Sequence, residues 1–192
     1  ARAFERPAAL KVESPDIVHK TEAGAVRLNL ATADEVKSAC TEILANARRT
    51  HPDARVHGVL VQPMVGAGVE ILVGARVDPQ FGPLIVVGLG GIFVELLKDT
   101  VLALAPVGRE QARALIGRLR GQALLRGFRG AAPVDLDALA DTVSRISEFA
   151  ADHAGAIGEL DVNPLICRGG AITAVDALIV KKAPECTSAT VN

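Results

Sequence analysis

The chain has 192 residues, a formal net charge of −1 and a hydrophobic fraction of 49%. That length suits one sizeable domain or two small lobes, and the apolar content argues against disorder. A near-neutral chain lacks the clustered basic face of a nucleic-acid binder, and no apolar run reaches the ~18–20 residues of a membrane span.

"ALKVE" (9–13) reads as a short strand stopped by Ser14-Pro15, and "AVRLNL" (25–30) as a second strand across an intervening loop. Thr32 and Glu35 have capping-box spacing, and Val36, Ala39, Cys40, Ile43, Leu44 and Ala47 recur at helical spacing. This predicts a helix over 33–49 that ends before His51-Pro52. "VHGVLVQPMV" (56–65) and "GVEILVGARV" (68–77) read as two strands joined by a tight Gly66-Ala67-Gly68 turn. "PLIVVG" (83–88), continuously apolar, is expected to be buried on both faces. "GLGG" then turns the chain into the short segment "IFVELLKD", and "VLALAP" (101–106) is a further strand. Helices are expected at 109–126 and 136–153, the second capped by Asp135. "AIGELDVNPLIC" and "AITAVDALIVK" close the chain as two strands around the Arg168-Gly169-Gly170 turn. Hairpins alternate with helices without a regular βαβ repeat, which points to an α+β fold. The tail 183–192 is expected to be disordered.

The cysteines, Cys40, Cys167 and Cys186, have neither metal nor disulfide spacing. They read as reduced thiols of a cytoplasmic protein, and "ARAFERPAALKVE" has no secretory core. With no Trp, no Tyr and five Phe, the core must be aliphatic. Arginines gather in "GRLRGQALLRGFRG" (117–130), a patch that can hold a phosphorylated small molecule.

Four stretches could carry chemistry. In "VVGLGGIFVE" (86–95) a strand runs through glycines into a helix start, whose free N–H groups suit a phosphate. It is neither a dinucleotide fingerprint nor a Walker A loop, and a tight turn that needs glycine explains it equally well. In "GELDVNPL" (158–165), Glu159, Asp161 and Asn163 alternate onto one strand face, with Asp176 within pairing distance on the next strand. Converging oxygens of this kind suit Mg²⁺; the alternative is a solvated strand face. Lys11 sits on a strand among apolar neighbours, either as a phosphate contact or as an edge lysine with a snorkelling stem. His19 and Lys20 stand in the loop "VESPDIVHKTEAGAV", where a lone histidine is ordinarily a solvent-exposed bystander. Lastly, "VQPMVGAGVEILVG" either offers backbone groups to a planar ring or is a simple hairpin.

Taken in order, "LKVESPDIVHKTEAGAVRLNL", "GVLVQPMVGAGVEILVGARVDPQFGPLIVVGLGGIFVELLKD", "LLRGFRGAAPVDLDALADTVSRIS" and "ELDVNPLIC" resemble the ATP-grasp domain of NDP-forming acyl-CoA synthetases, relatives of the succinyl-CoA synthetase beta subunit. The resemblance covers roughly residues 7–182. It implies an ATP-grasp fold of two α+β lobes clasping ATP or ADP with Mg²⁺. The lobe boundary is expected near 105–110 of a domain over 1–182. The family's domains usually begin some tens of residues earlier, so the chain is expected to be a fragment lacking the N-terminal part.

Position by position, the resemblance implies that Lys11 and Lys20 contact nucleotide phosphates. Gln62, Pro63, Met64 and Val65 would form the hinge strand whose backbone meets adenine, and Glu70 would reach the ribose side. Gly90 and Gly91 would open the helix aimed at the transferring phosphoryl group, and Asp161, Asn163 and Asp176 would handle metal. His19 matches the histidine that carries phosphate between a CoA-binding part and ADP. Neutral imidazole is a competent nucleophile near pH 7, and flanking glycines would supply hinge freedom. The partners implied are the CoA-binding part and an oligomeric assembly, with neither nucleic acid nor membrane. Two positions depart from the family: Pro63 stands where Glu is common, and Ala25 where the loop usually ends in a second glycine. A regulatory module attached to a protein lysine acetyltransferase is the alternative reading.

Overall fold

A computed structural model describes residues 7–91, 98–127 and 132–182. Every strand ladder in it is antiparallel, in keeping with the α+β expectation. The chain divides into two units, Ala1–Val65 and Gly66–Asn192.

In the first unit, β1 (Ala8–Glu13) lies between β2 (Val26–Leu30) and β3 (Gly58–Pro63). Helix α1 (Ala33–Thr50) covers one face. Its start is set chemically: Thr32 Oγ1 accepts from the Glu35 N–H, and the Glu35 carboxylate accepts from the Thr32 and Ala31 N–H groups. Alternation on β1 sends Leu10 and Val12 into a core with Ile17, Ala25, Ile43 and Ala47. Lys11 therefore points to the sheet face away from α1.

In the second unit the strands β4 (Val69–Asp78), β5 (Gly82–Leu89), β6 (Thr100–Leu104), β7 (Ile157–Arg168) and β8 (Ala171–Ala174) run in the order β6-β5-β4-β7-β8. β9 (Ala177–Lys181) pairs the first part of β7. Helices α2 (Arg109–Ile116) and α3 (Leu136–Asp152) pack on the sheet. Asp135 caps α3 as expected, its carboxylate accepting from the Asp137 and Ala138 N–H groups at 2.9 and 3.0 Å. The core between sheet and helices is aliphatic: Ile71, Val73, Ile85, Val87, Leu139 and Val143 are each fully buried.

Five expectations are corrected. β3 and β4 do not form a hairpin: β3 pairs β1 along its whole length, while β4 pairs β5 and β7. A Cβ on Gly68 would sit 2.5 Å from the Cys167 carbonyl oxygen, so the connection runs tightly along the end of β7 into the second sheet. The unit boundary falls after Val65 instead of near 105–110, because β6 extends the β5 ladder and α2 packs on α3. The helix expected over 109–126 stops at Ile116. The buried Asp99 carboxylate takes the Arg120 and Gly121 N–H groups at 2.9 Å each, and Leu89 Cδ1 fills the space that a Gly121 Cβ would need. β5 is buried on one face, since Leu84 and Val86 stay half-exposed opposite Ile85 and Val87. The final strand is split into β8 and β9, which continue one another along β7. The segment 92–97 and the tail 183–192 lie outside the described residues.

Candidate functional site

The first unit carries Lys11, His19, Lys20 and the 62–65 segment. Lys11 is half-buried and paired with Val26 and Leu60 on the open sheet face. Gln62 pairs Ala9, and Pro63 pairs Ala8 at the end of β3. The Met64 N–H donates to the Pro7 carbonyl at 2.8 Å, so the backbone groups left for a planar ring are the other ones of this segment. Pro63 itself contributes no N–H.

His19 is exposed, in a loop whose turns close on themselves. The Ala23 N–H donates to the His19 carbonyl at 3.2 Å, and the Ala25 N–H to the Lys20 carbonyl at 2.8 Å. Beside it lies a hollow of about 380 Å³ lined by Asp16, Val18, His19, Glu22, Thr50 and His51. Ala25, the departure from the family pattern, is fully buried in the α1 core. Its methyl group anchors the loop's far end.

In the second unit, Glu70 and the Gly90-Gly91 pair prove to be one feature. Ile71 and Val73 face the core, which turns Glu70 to the opposite, open face. The Gly90 N–H donates to the Glu70 carbonyl at 2.7 Å. A Cβ on Gly90 would lie 2.7 Å from Glu70 Cβ, and one on Gly91 (φ 62°) would lie 2.9 Å from Glu70 Oε2. Glycine is required here for close approach to Glu70 and, at Gly91, for the left-handed backbone. The Gly90 amide is thus engaged within the protein, and the helix expected to follow lies outside the described residues.

Asp161 sits on β7 opposite Gly74 and Leu178, with buried Leu160 and Val162 on either side. Gly74 leaves the space beside the carboxylate clear: a Cβ there would be 3.8 Å from Asp161 Oδ1. After Val162 the strand bulges, Asn163 and Pro164 standing against the single Leu72 of β4. The Asn163 N–H donates to the Asp176 carbonyl at 3.2 Å, and the Val175 N–H to the Pro164 carbonyl at 3.1 Å. Asn163 and Asp176 are therefore adjacent, one backbone pair beyond Val162–Ala177. Asp176 Oδ1 also accepts from the Ala177 N–H at 3.2 Å. Among the described residues no group of three or more His, Cys, Asp or Glu side chains could hold a metal. The donor set is two carboxylates and one amide.

Two contacts around the His19 loop have little or no trace in the local sequence. Arg55 grips the Asp16 carboxylate: its Nε and backbone N–H donate to Oδ2 at 3.0 and 2.8 Å, and its Nη2 to Oδ1 at 2.8 Å. This hydrogen-bonded guanidinium holds the Asp16 carboxyl well below the usual carboxylate range. Asn46 Nδ2 donates to the Gly24 carbonyl at 3.1 Å. Asn46 carries a weak signal, as a polar residue beside the Ala39–Ile43–Ala47 face of α1. Arg55 lies 39 residues from Asp16 and carries none.

The chain belongs to the ATP-grasp domain family, which matches residues 1–180. It is 44% identical over 165 residues to acetate–CoA ligase [ADP-forming] I of Archaeoglobus fulgidus, covering 86% of this chain and 24% of that one. It is 40% identical over 178 residues to the acetate–CoA ligase [ADP-forming] II subunit beta of Pyrococcus furiosus, covering 92% of this chain and 75% of that subunit. The chain thus spans about a quarter of the Archaeoglobus fulgidus ligase and three quarters of the Pyrococcus furiosus beta subunit. Among solved structures, the dinucleotide forming acetyl-coenzyme A synthetase 1 of Ca. Korarchaeum cryptofilum in complex with coenzyme A, Ca-AMPCP and HgCl+ superposes with a TM-score of 0.89 at 40% identity. That match covers 94% of this chain and 79% of that one. The same protein was solved with Mg-AMPPCP and its phosphohistidine segment pointing towards the nucleotide binding site (TM-score 0.79, 37% identity, 94% and 79% covered). The fold is ATP-grasp, and the chain corresponds to the ATP-grasp part of these ADP-forming ligases. The relatives are ligases, which leaves the acetyltransferase-linked regulatory module without support.

Proposed function

We propose that this chain serves an NDP-forming acyl-CoA synthetase, interconverting carboxylic acid, CoA and ATP with acyl-CoA, ADP and phosphate. It would act together with a CoA-binding part, on a separate subunit or on the same polypeptide, in an oligomer in the cytoplasm. The single observation that carries the reading is His19, exposed on a loop anchored at both ends, in a chain of this family. A relative whose phosphohistidine segment points towards its nucleotide site supports the same role for His19.

The chemistry follows from a carrier serving two sites. A neutral imidazole nitrogen of His19 attacks the phosphorus of an acyl phosphate; the N–P bond forms and the carboxylate leaves with the P–O bonding pair. A β-phosphate oxygen of ADP then attacks the same phosphorus, the P–O bond of ATP forms and the N–P bond returns its electrons to the ring. Lys11, on the open face of β1, would contact nucleotide phosphates, with Lys20 beside the carrier. Gln62 to Val65 would border adenine, and Glu70 the ribose. Asp161, Asn163 and Asp176 fit Mg²⁺, which takes one or two carboxylates and completes its shell with water and phosphate oxygens. When bound, the ion neutralises charge developing on the transferring phosphoryl group.

The test joins the chain to its native CoA-binding part and supplies Mg²⁺ with γ-labelled ATP. Label is expected on His19 and absent in His19→Ala. Nucleotide binding without phosphoryl transfer to any histidine would sink the proposal.

A further inference from the structure

The His19 loop is pinned on both sides of its exposed tip. Ile17 and Ala23 are 1% and 4% exposed and share a core with Ala39, Ile43 and Ala47 of α1. Only residues 18–22 lie between these anchors. With six Cα–Cα steps between Ile17 and Ala23, a taut tip reaches at most about 10 Å from them.

Each anchor is backed by a polar contact from elsewhere in the unit. Asp16, just before Ile17, is held by the three Arg55 hydrogen bonds. Gly24, just after Ala23, is held by Asn46. The backbone bonds from Ala23 to His19 and from Lys20 to Val18, each 3.2 Å long, lie within the loop. They move with it and do not tie it to α1.

We infer that Arg55 and Asn46 are positioning residues, two latches that fix the ends of the His19 segment and set the length of its stroke. The inference rests on His19 as the phosphate carrier. With both latches closed, His19 travels only as far as the short tip allows. A longer stroke requires one latch to open, so that Ile17 or the Ala23–Ala25 stretch leaves the α1 core. The two are unequal. Arg55 makes three bonds to a carboxylate, two of them from its guanidinium, whereas Asn46 makes one neutral bond, and charge-assisted bonds are the stronger class. By side-chain contacts alone the Gly24 end is the more lightly held; its remaining tie to the sheet is the Val12 N–H bond to the Ala25 carbonyl at 2.9 Å. Gly24 has φ 62°, and a Cβ there would lie 3.1 Å from Asn46 Nδ2. It is a glycine pivot placed directly beneath its own latch.

The experiment uses the intact protein with its CoA-binding part and compares wild type, Asn46→Asp and Arg55→Lys by amide hydrogen exchange. Asn46→Asp keeps the size and removes the donor; Arg55→Lys keeps the charge and removes the fork. In Asn46→Asp, exchange at the 23–25 amides should rise by about tenfold with α1 protection unchanged, and by less in Arg55→Lys. The same Asn46→Asp protein should shift the ratio of His19 labelling from ATP to its discharge at the CoA-binding part. Unchanged exchange at 23–25 in both variants overturns the latches, as does a loss of α1 protection equal to that of the loop. Failure of the carrier reading shows differently: wild-type His19 takes no label while exchange still responds to Asn46→Asp.

Discussion

The His19 loop and the Asp161–Asp176 ladder carry the two halves of the proposed chemistry, and they are held in opposite ways. The loop depends on turns that close on themselves, on small buried side chains and on two side-chain contacts. The ladder is built into β7, which has β4 on one side and β8 and β9 on the other. The backbone of Asp161, on a strand paired on both sides, cannot shift without breaking ladder bonds, and Asp176, between β8 and β9, is tied to that strand by the Asn163 N–H bond to its carbonyl. A histidine on a short surface turn can move when one or two contacts yield. The physical difference matches the work assigned: fixed oxygens for a metal and phosphates, a mobile nitrogen for the group that is carried.

The largest expected effect that breaks this comparison comes from the cores beneath each site. Ile71→Ala, at a fully buried position in the central strand β4, should lose about 2–5 kcal/mol of stability in urea unfolding and leave exchange at 18–25 unaltered. Ile17→Ala removes a buried anchor of the loop itself, and there faster exchange at 18–25 should accompany the stability loss. If the two variants gave the same exchange profile, the loop would not be a separately held element.

A smaller effect sharpens the rigid side. Gly90→Ala drives a methyl group against Glu70 Cβ, and overpacking of this kind costs about 1–3 kcal/mol. Thermal unfolding should register that loss, and nucleotide affinity measured by calorimetry should fall with it because Glu70 is displaced. An unchanged affinity would separate Glu70 from the nucleotide.

The smallest effect concerns acid. Arg55 lowers the Asp16 carboxyl below its unfolded value, which is about 3.9. The unfolded chain therefore binds that proton more tightly, and the contribution is present above about pH 4 and lost as pH falls through the lower native value. Urea midpoints of wild type and Asp16→Asn should differ slightly near pH 6 and converge in strong acid. Because the pair lies at the surface, the difference at pH 6 is expected to be minor.

Much of the candidate site is legible in the sequence. Local alternation places Lys11 on a strand with its neighbours buried, and puts Asp161 and Asn163 on the face opposite Leu160 and Val162. The capping box at Thr32 and the Asp135 cap are readable because each is a bond between near neighbours in the chain. His19 is different: on composition alone it is a bystander, and only family resemblance suggests it as the carrier proposed above. Glu70 and Gly90-Gly91 look like separate features, since nothing within either segment records that one touches the other.

The sequence by itself determined which segments are strands and helices, where most of them start, and which residue types stand ready for phosphate and metal. These properties depend on periodicity and on bonds spanning a few residues. Only the tertiary structure decided that β3 and β4 join different sheets, that the units part after Val65, that α2 ends at Ile116 with the chain beyond it bound to Asp99 at Arg120 and Gly121, and that Arg55 and Asn46 hold the His19 loop. Those outcomes depend on which distant strand or side chain competes best for a given backbone group. Such a competition is resolved only when the whole chain is folded.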